Sequence, residues 1–420
     1  MDLFMSAVNW YGALPSAVMI AIGIFLVAII VGRLKPLEAL KASIYVGGGM
    51  IGINTMTNMF AGAVAPVLST VVTNLGLNLD VLDLGIGSMQ ASVTFPMNFY
   101  AILLPIGLAV NLVMIFTKLT DTFDVDIFNY FVWSLSSGFV MALTGSLPFA
   151  IAAFIITEIV CLKLADITQP AIEEAYGLVG VSIPHGNAVV FAPIGMAVNA
   201  VIEKIPALAK IDWSTDFIEQ KFGGLVQPST IGFVVGIGFG IAGGLDFGGT
   251  VNLAITVAAF MIIFPKVLGT LIEGVQPVAD GMREVTEKKL NRDLHIGLDA
   301  AVLVGMPDVM ATGILLTPVT LLLAFILPGN RVVPMADLAI ACPFLISCCM
   351  PFCKKNIFRG FICGLIVMTI ALYVCTFTAE AYTAIAAMNG LPFETVSTSL
   401  GGSSTWLSAI FAAIASLFGA

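Results

Sequence analysis

Three clusters of polar residues interrupt long apolar runs in this 420-residue chain. A polar group in such a setting costs free energy unless it is paired or lines a wet cavity. The first cluster is Gly87-Ser88-Met89-Gln90-Ala91-Ser92-Val93-Thr94-Phe95-Pro96-Met97-Asn98. Pro96 removes a backbone donor and interrupts a helix. Gln90, Thr94 and Asn98, spaced i, i+4 and i+8, would share one helical face. That face can bind hydroxyls, or it can simply glue helices together. The second cluster is Ser182-Ile183-Pro184-His185-Gly186-Asn187, followed by Pro193 and Asn199. His185, one of two histidines, sits where a broken helix leaves backbone groups unpaired, so His185 and Asn187 are candidates for substrate contact. The alternative is a satisfied structural histidine; no His or Cys partner lies at metal-ligand spacing. The third cluster runs His295-Ile296-Gly297-Leu298-Asp299 and then Gly305-Met306-Pro307-Asp308, with Thr312-Gly313 and Thr317-Pro318 beyond. Asp299 adjoins a charged connector and can equally cap a helix, whereas Asp308 lies deeper in the apolar run. Carboxylates accept several hydroxyl hydrogen bonds, which suits an uncharged polyhydroxylated solute.

The elements that must position these residues are membrane helices. The chain is 59% hydrophobic and 10% charged, against roughly 25% charged in soluble domains. Residues 42–117, 119–162 and everything after Arg359 contain no Lys or Arg, and about 20 apolar residues cross a hydrocarbon core of about 30 Å. Segments 13–32 and 360–379 meet that requirement without a charge. The pattern predicts an all-α, polytopic bundle of about ten to twelve helices, some broken or re-entrant, near 13–32, 42–64, 88–117, 129–147, 148–166, 180–202, 226–245, 247–272, 298–328, 336–353, 357–379 and 405–417. Met1-Asp2 lacks the basic start of a cleaved signal, so 13–32 reads as a retained first helix. The net charge of −9 comes from acids spread over connecting loops and says little about partners; no nucleic acid is expected among them.

Basic residues place Arg33, Lys35 and Lys41, and Lys354, Lys355 and Arg359, in cytoplasmic loops. The acid-only segments around Asp80 and Asp83 and around Glu380 and Glu394 fall outside, as does the N-terminus. Residues 203–221 and 266–293 read as the two long hydrophilic connectors, the second cytoplasmic. Glu158, Asp246 and Asp337 read as interfacial residues near helix ends, and Arg331 as part of a surface turn. Gly232, Gly236, Gly240 and Gly244 recur every four residues, a helix-packing stripe. Six of the seven cysteines lie between Cys342 and Cys375 and fit small buried side chains better than disulfides or metal ligands. The chain reads as one transport domain, 1–420, with an internal repeat of halves 1–176 and 177–420 as one organisation. Two short echoes accompany it: Ile102-Leu103-Leu104-Pro105 with Ile314-Leu315-Leu316-Thr317-Pro318, and Asp126-Ile127-Phe128-Asn129 with Asn356-Ile357-Phe358-Arg359.

Five segments resemble the galactitol-type enzyme IIC of the bacterial phosphoenolpyruvate-dependent phosphotransferase system. They are Leu79-Asp80-Val81-Leu82-Asp83-Leu84-Gly85, Asp126-Ile127-Phe128-Asn129-Tyr130, Ile183-Pro184-His185, Ile296-Gly297-Leu298-Asp299-Ala300-Ala301-Val302-Leu303 and Ile326-Leu327-Pro328-Gly329-Asn330-Arg331. The resemblance implies a multi-pass permease of the cytoplasmic membrane that takes up galactitol or a related hexitol, with cytosolic IIA and IIB proteins supplying the phosphoryl group. It implies no cofactor and no phosphoryl-accepting residue in this chain. Through the related ascorbate-type IIC it implies a homodimer with a scaffold and an elevator-like moving core. It also implies that Phe95-Pro96, His185 and Asp299 or Asp308 contact substrate. The chain departs from the family pattern at Ile86-Gly87 and at Met306-Pro307-Asp308, which leaves the preferred polyol open.

The expected site is therefore Gln90, Phe95, Pro96, Asn98, His185, Asn187, Asp299 and Asp308. The competing reading is an ion-coupled secondary transporter in which Asp299 or Asp308 binds a proton or sodium. An intramembrane enzyme would need a nucleophile–base pair or a metal-ligand set, and the sequence offers neither.

Overall fold

The uncharged runs fold as helices, because backbone in hydrocarbon must satisfy its own N–H and C=O groups. The computed structural model describes residues 14–30, 32–74, 79–94, 100–214, 217, 228–290, 292–334, 336 and 338–418. The first part comprises α1 (Ser16–Ile30), α2 (Pro36–Asn74), β1 (Val81–Asp83), α3 (Gly85–Ser88) running into a π-helical turn (Met89–Thr94), and α4 (Tyr100–Phe116). Then come β2 (Thr122–Asp124), α5 (Ile127–Thr144), α6 (Leu147–Tyr176), β3 (Val181–Ser182), α7 (Gly186–Val189), α8 (Ala192–Glu203) and α9 (Pro206–Ala209). The second part comprises α10 (Pro228–Ala242), α11 (Phe247–Leu290), β4 (His295–Gly297), α12 (Ala301–Val304) and α13 (Pro307–Ile326). It continues through β5 (Val332–Val333), α14 (Leu338–Ile346), α15 (Ile357–Met388), β6 (Ser397–Thr398), α16 (Leu400–Ser403) and α17 (Trp406–Ser416).

Among the described residues, five helical segments are long and apolar enough to cross a bilayer: Leu147–Tyr176, Gly186–Glu203, Phe247–Gly281, Pro307–Ile326 and Ile357–Met388. Shorter apolar helices accompany them at Ile20–Ile30, Ile102–Phe116, Gly232–Ala242 and Trp406–Ser416. The protein is an all-α, multi-pass membrane protein. Most of the stretch 266–293, read from sequence as a connector, is instead the continuation of α11, which runs to Leu290. At 1.5 Å per residue this 44-residue helix is about 66 Å long, roughly twice the hydrocarbon thickness. Its polar residues are good helix formers, so the helix continues past its apolar part.

Helix packing follows the small residues. A Cβ on Gly236 would lie 2.6 Å from Ala254 Cα, and one on Gly240 would lie 2.8 Å from Thr250 Cα, so α10 and α11 touch backbone to backbone. Gly244 is not part of that stripe: its φ of +72° makes it the left-handed residue of the turn between the two helices. α2 packs on α11 and on α1, and these four helices form one group.

Two small sheets, which no apolar pattern announces, sit inside the helical bundle. Both are entirely parallel, ordered β5-β1-β6 and β2-β4-β3. Charged clusters mark the two ends of the molecule. At one end Arg331 clasps Asp80 (Nη2–Oδ2 2.6 Å) and Glu380 (Nη1–Oε1 2.6 Å). The Arg331 guanidinium holds the Asp80 carboxyl below the usual carboxylate range. At the other end Arg359 and Lys354 bind Glu203, and Arg292 binds Asp121. α13 and α15 therefore run parallel, both toward Arg331. Tyr176, ending α6, bonds Asp308 at the start of α13, and Glu203, ending α8, reaches the start of α15. The segment from β3 to Glu203 thus begins and ends beside the starts of α13 and α15.

Candidate functional site

Parallel strands present their C-terminal ends on one edge, so the β2-β4-β3 sheet gathers three turns there. They are Val125-Asp126 before α5, Leu298-Asp299-Ala300 before α12, and Ile183-Pro184-His185 before α7. Short helices start at once after two of these turns, and the turns supply the polar atoms that the helix starts require. Asp126 caps α5, accepting from Phe128 N–H at 3.0 Å, and its other oxygen accepts the Asp299 N–H at 3.0 Å. Asp299 in turn accepts the Ala301 N–H at 2.6 Å. The fit around the histidine turn is tight: a Cβ on Gly186 would lie 3.0 Å from Val132 and 3.3 Å from Trp133.

His185 stands at the centre of this edge, 1% exposed. Its Nδ1 lies 3.0 Å from Asn129 Oδ1 and 3.3 Å from Asp299 Oδ2. Asn129 is oriented by donating from Nδ2 to Asp124 Oδ1 at 2.7 Å, which turns its Oδ1 toward the imidazole. Both groups facing Nδ1 are acceptors, so the ring proton belongs on Nδ1 and a neutral ring leaves Nε2 as a lone-pair acceptor. Nε2 is buried and has no hydrogen-bond partner among the described residues. Phe344 covers the ring edge-on, with centroids 5.0 Å apart. Trp133 Nε1 donates to the Pro184 carbonyl at 3.3 Å and pins the turn to α5.

The other sheet reaches the same region. Asp83 accepts the Gly85 and Leu400 N–H groups at 3.1 and 2.9 Å, binding the start of α3 to the start of α16. Asn187, on α7, donates to the Gly401 carbonyl at 2.8 Å, and Trp406 Nε1 donates to the Val190 carbonyl at 2.8 Å. The short helices of the two sheets therefore meet, and Asn187 bridges them.

Of the residues expected from sequence, the structure brings His185, Asn187 and Asp299 together, and Asp299 both accepts the N–H that opens α12 and partners the histidine. Asp308 is buried but apart from this network: its Oδ2 accepts from Tyr176 Oη at 2.8 Å. Phe95, Pro96 and Asn98 lie outside the described residues, as does the side chain of Gln90. Gln90 itself belongs to the π-helical turn, whose i→i+5 bonding breaks the four-residue stacking expected of Gln90 and Thr94. Thr94 is buried and donates to the Met89 carbonyl at 3.3 Å.

Sequence reasoning missed Asp124, Asp126 and Asn129 as site residues, although two acids spaced by one residue in an apolar setting were the signal. Glu158 is a correction of a different kind. Expected at a helix end, it is fully buried in the middle of the unbroken α6, and neither carboxylate oxygen has a hydrogen-bond partner among the described residues. Asp246 does sit at a helix start, bonding Gly249 N–H at 2.7 Å; Asp337 lies outside the described residues. All seven cysteines are buried and none forms a disulfide.

Comparison with known proteins matches residues 15–395 to the family described as the PTS system sugar-specific permease component. The chain belongs to this family. It is 35% identical over 377 residues to a putative permease IIC component of Escherichia coli K12, covering 90% of this chain and 84% of the relative. It is 32% identical over 389 residues to the galactitol-specific EIIC component of the phosphotransferase system of the same organism, covering 92% and 86%. A sugar permease component of this family is an integral membrane part of the phosphotransferase system, which accords with the five apolar spans.

Proposed function

We propose that this chain binds galactitol or a related hexitol and translocates it across the bacterial cytoplasmic membrane for phosphorylation by a partner IIB protein, itself charged by IIA. The observation that carries the reading is His185, whose Nε2 is buried without a partner among the described residues while its Nδ1 is fixed by Asn129 and Asp299. Asn187 Oδ1 is a second buried acceptor without a partner among the described residues. Acceptors flanked by Asp124, Asp126 and Asp299 suit the hydroxyl donors of an uncharged polyol and repel an anion. The name of the galactitol-specific relative points the same way. Gln90, Phe95, Pro96, Asn98 and Asp308 remain proposed contacts, Phe95 and Pro96 on the resemblance alone and the others on their place in apolar sequence as well.

The order of elements supports two related halves of opposite orientation. Each half runs a helix, an overlong helix, a strand, a broken helix, a strand, two helices, a strand, a short helix and a helix. The central strand of each sheet comes from one half and both neighbours from the other. This reading divides the chain between α9 and α10 rather than at 176/177. The echo of Pro105 and Pro318 then falls on equivalent helices, α4 and α13. The group α1, α2, α10 and α11 is the proposed scaffold and dimer-forming part, and the sheets with their turns form the core that moves as an elevator. The ion-coupled alternative is less favoured, since Asp299 and Asp308 are already engaged by His185, Ala301 and Tyr176.

Membrane vesicles given purified cytosolic phosphotransferase proteins, phosphoenolpyruvate and labelled galactitol test the reading. Phosphoenolpyruvate-dependent appearance of galactitol phosphate is the expected result. Accumulation of unmodified polyol driven by an ion gradient alone would overturn it.

A further inference from the structure

Two further buried hydroxyls share the condition of His185 and Asn187. Ser137 on α5 and Ser404 between α16 and α17 are fully buried, and their Oγ atoms have no hydrogen-bond partner among the described residues. A buried hydroxyl without a partner costs about 1–3 kcal/mol, so an unliganded pair is a cost that bound substrate could offset.

Each belongs to a segment that grips the histidine turn or the short helix after it. Asn129, Trp133 and Ser137 are spaced i, i+4 and i+8, which puts them on one face of α5. The first two of these bond His185 and the Pro184 carbonyl, so Ser137 stands one turn further along the face that looks at the turn. Ser404 is flanked in sequence by Gly401 and Trp406, each bonded to the α7 segment through Asn187 and the Val190 carbonyl. α5 and α17 are themselves joined there by Ser136 and Ser408, whose hydroxyls are 3.0 Å apart.

We infer that Ser137 and Ser404 form a second wall of the substrate site and read individual hydroxyls of the polyol. This rests on the proposed function and adds specificity-determining residues to it. His185 Nε2 and Asn187 Oδ1 only accept, whereas serine hydroxyls both donate and accept. The second wall therefore lets the site engage substrate oxygens as acceptors too, so that hydroxyl configuration at particular carbons is distinguished.

The test is equilibrium binding of galactitol and of galactitols lacking one hydroxyl each to purified protein, with thermal unfolding measured with and without ligand. Ser137→Ala and Ser404→Ala are compared with Ser134→Ala, whose hydroxyl is already engaged by the Phe131 carbonyl at 2.6 Å. Each of the first two should weaken galactitol binding about tenfold and lose nothing further on one particular deoxy analogue, a different one for each serine. Without ligand their unfolding temperatures should equal or exceed that of the native protein, because an unpaired buried hydroxyl has been removed. A uniform loss across all analogues, or native affinity in both variants while the native protein binds galactitol, overturns the inference and leaves the function standing. A native protein that binds no hexitol overturns both.

Discussion

Replacing Asp299 by asparagine removes the charge that faces His185 while keeping the shape of the side chain. The amide oxygen can still accept the Ala301 N–H, now at 2.6 Å, so the start of α12 stays capped. The amide NH2 then falls opposite the His185 Nδ1–H across the present 3.3 Å contact, setting donor against donor. The imidazole can respond by moving its proton to Nε2, but its Nδ1 lone pair then meets Asn129 Oδ1 at 3.0 Å. Asn129 cannot flip to relieve this, because its Nδ2 holds Asp124 at 2.7 Å. If the proton stays, the ring loses its Asp299 partner and is pushed off its present position; if it moves, the site loses the acceptor that the substrate hydroxyl needs. A hydrogen bond to a charged group is worth about 1.5–3 kcal/mol, so Asp299→Asn should weaken galactitol binding roughly ten- to a hundredfold with the unfolding temperature little changed. Asp299→Ala should lose binding similarly and also about 0.5–2 kcal/mol of stability with the cap. Labelled galactitol binding to detergent-purified protein, paired with thermal unfolding, measures both. Native affinity in Asp299→Asn would refute the assignment of the Nδ1 proton and with it the role of Nε2.

Glu158→Gln should be as stable as the native protein or more so, since both carboxylate oxygens are buried without a hydrogen-bond partner among the described residues and an uncharged isostere is cheaper to bury; a large fall in unfolding temperature would show a compensating partner. Gly236→Ala should destabilise by about 1–3 kcal/mol through overpacking against Ala254, whereas Gly238→Ala, with open space around its Cβ position, should be tolerated; equal unfolding temperatures would refute the α10–α11 contact. Arg331→Ala should lower stability at neutral pH. Asp80 is held below its ordinary value by Arg331, so that contribution is fully present above about pH 4 and fades as pH falls through the lowered value. A difference between variant and native protein that stays constant to the lowest accessible pH would exclude the pairing. Arg359→Lys should unfold earlier than native protein, because one ammonium cannot hold Asn199, Glu203 and the Ala209 carbonyl together as the guanidinium does.

Hydrophobicity and charge spacing determined a great deal without coordinates. They located nearly every long helix, the burial of the cysteines, and the broken turn at Pro184-His185-Gly186. These are local properties: a run of apolar residues must form a helix in lipid, and a proline or a glycine interrupts it wherever the rest of the chain lies. The partnerships were decided only by tertiary structure. Three strands of two or three residues carry no periodicity, yet their parallel pairing sets Asp126, His185 and Asp299, which are far apart in sequence, at one edge. Asp308 had the more suggestive sequence context but went to Tyr176, and Glu158 proved central because α6 runs unbroken through the point where composition suggested an end. Which polar groups remain without a partner depends on every other group having found one, and that is a property of the whole fold.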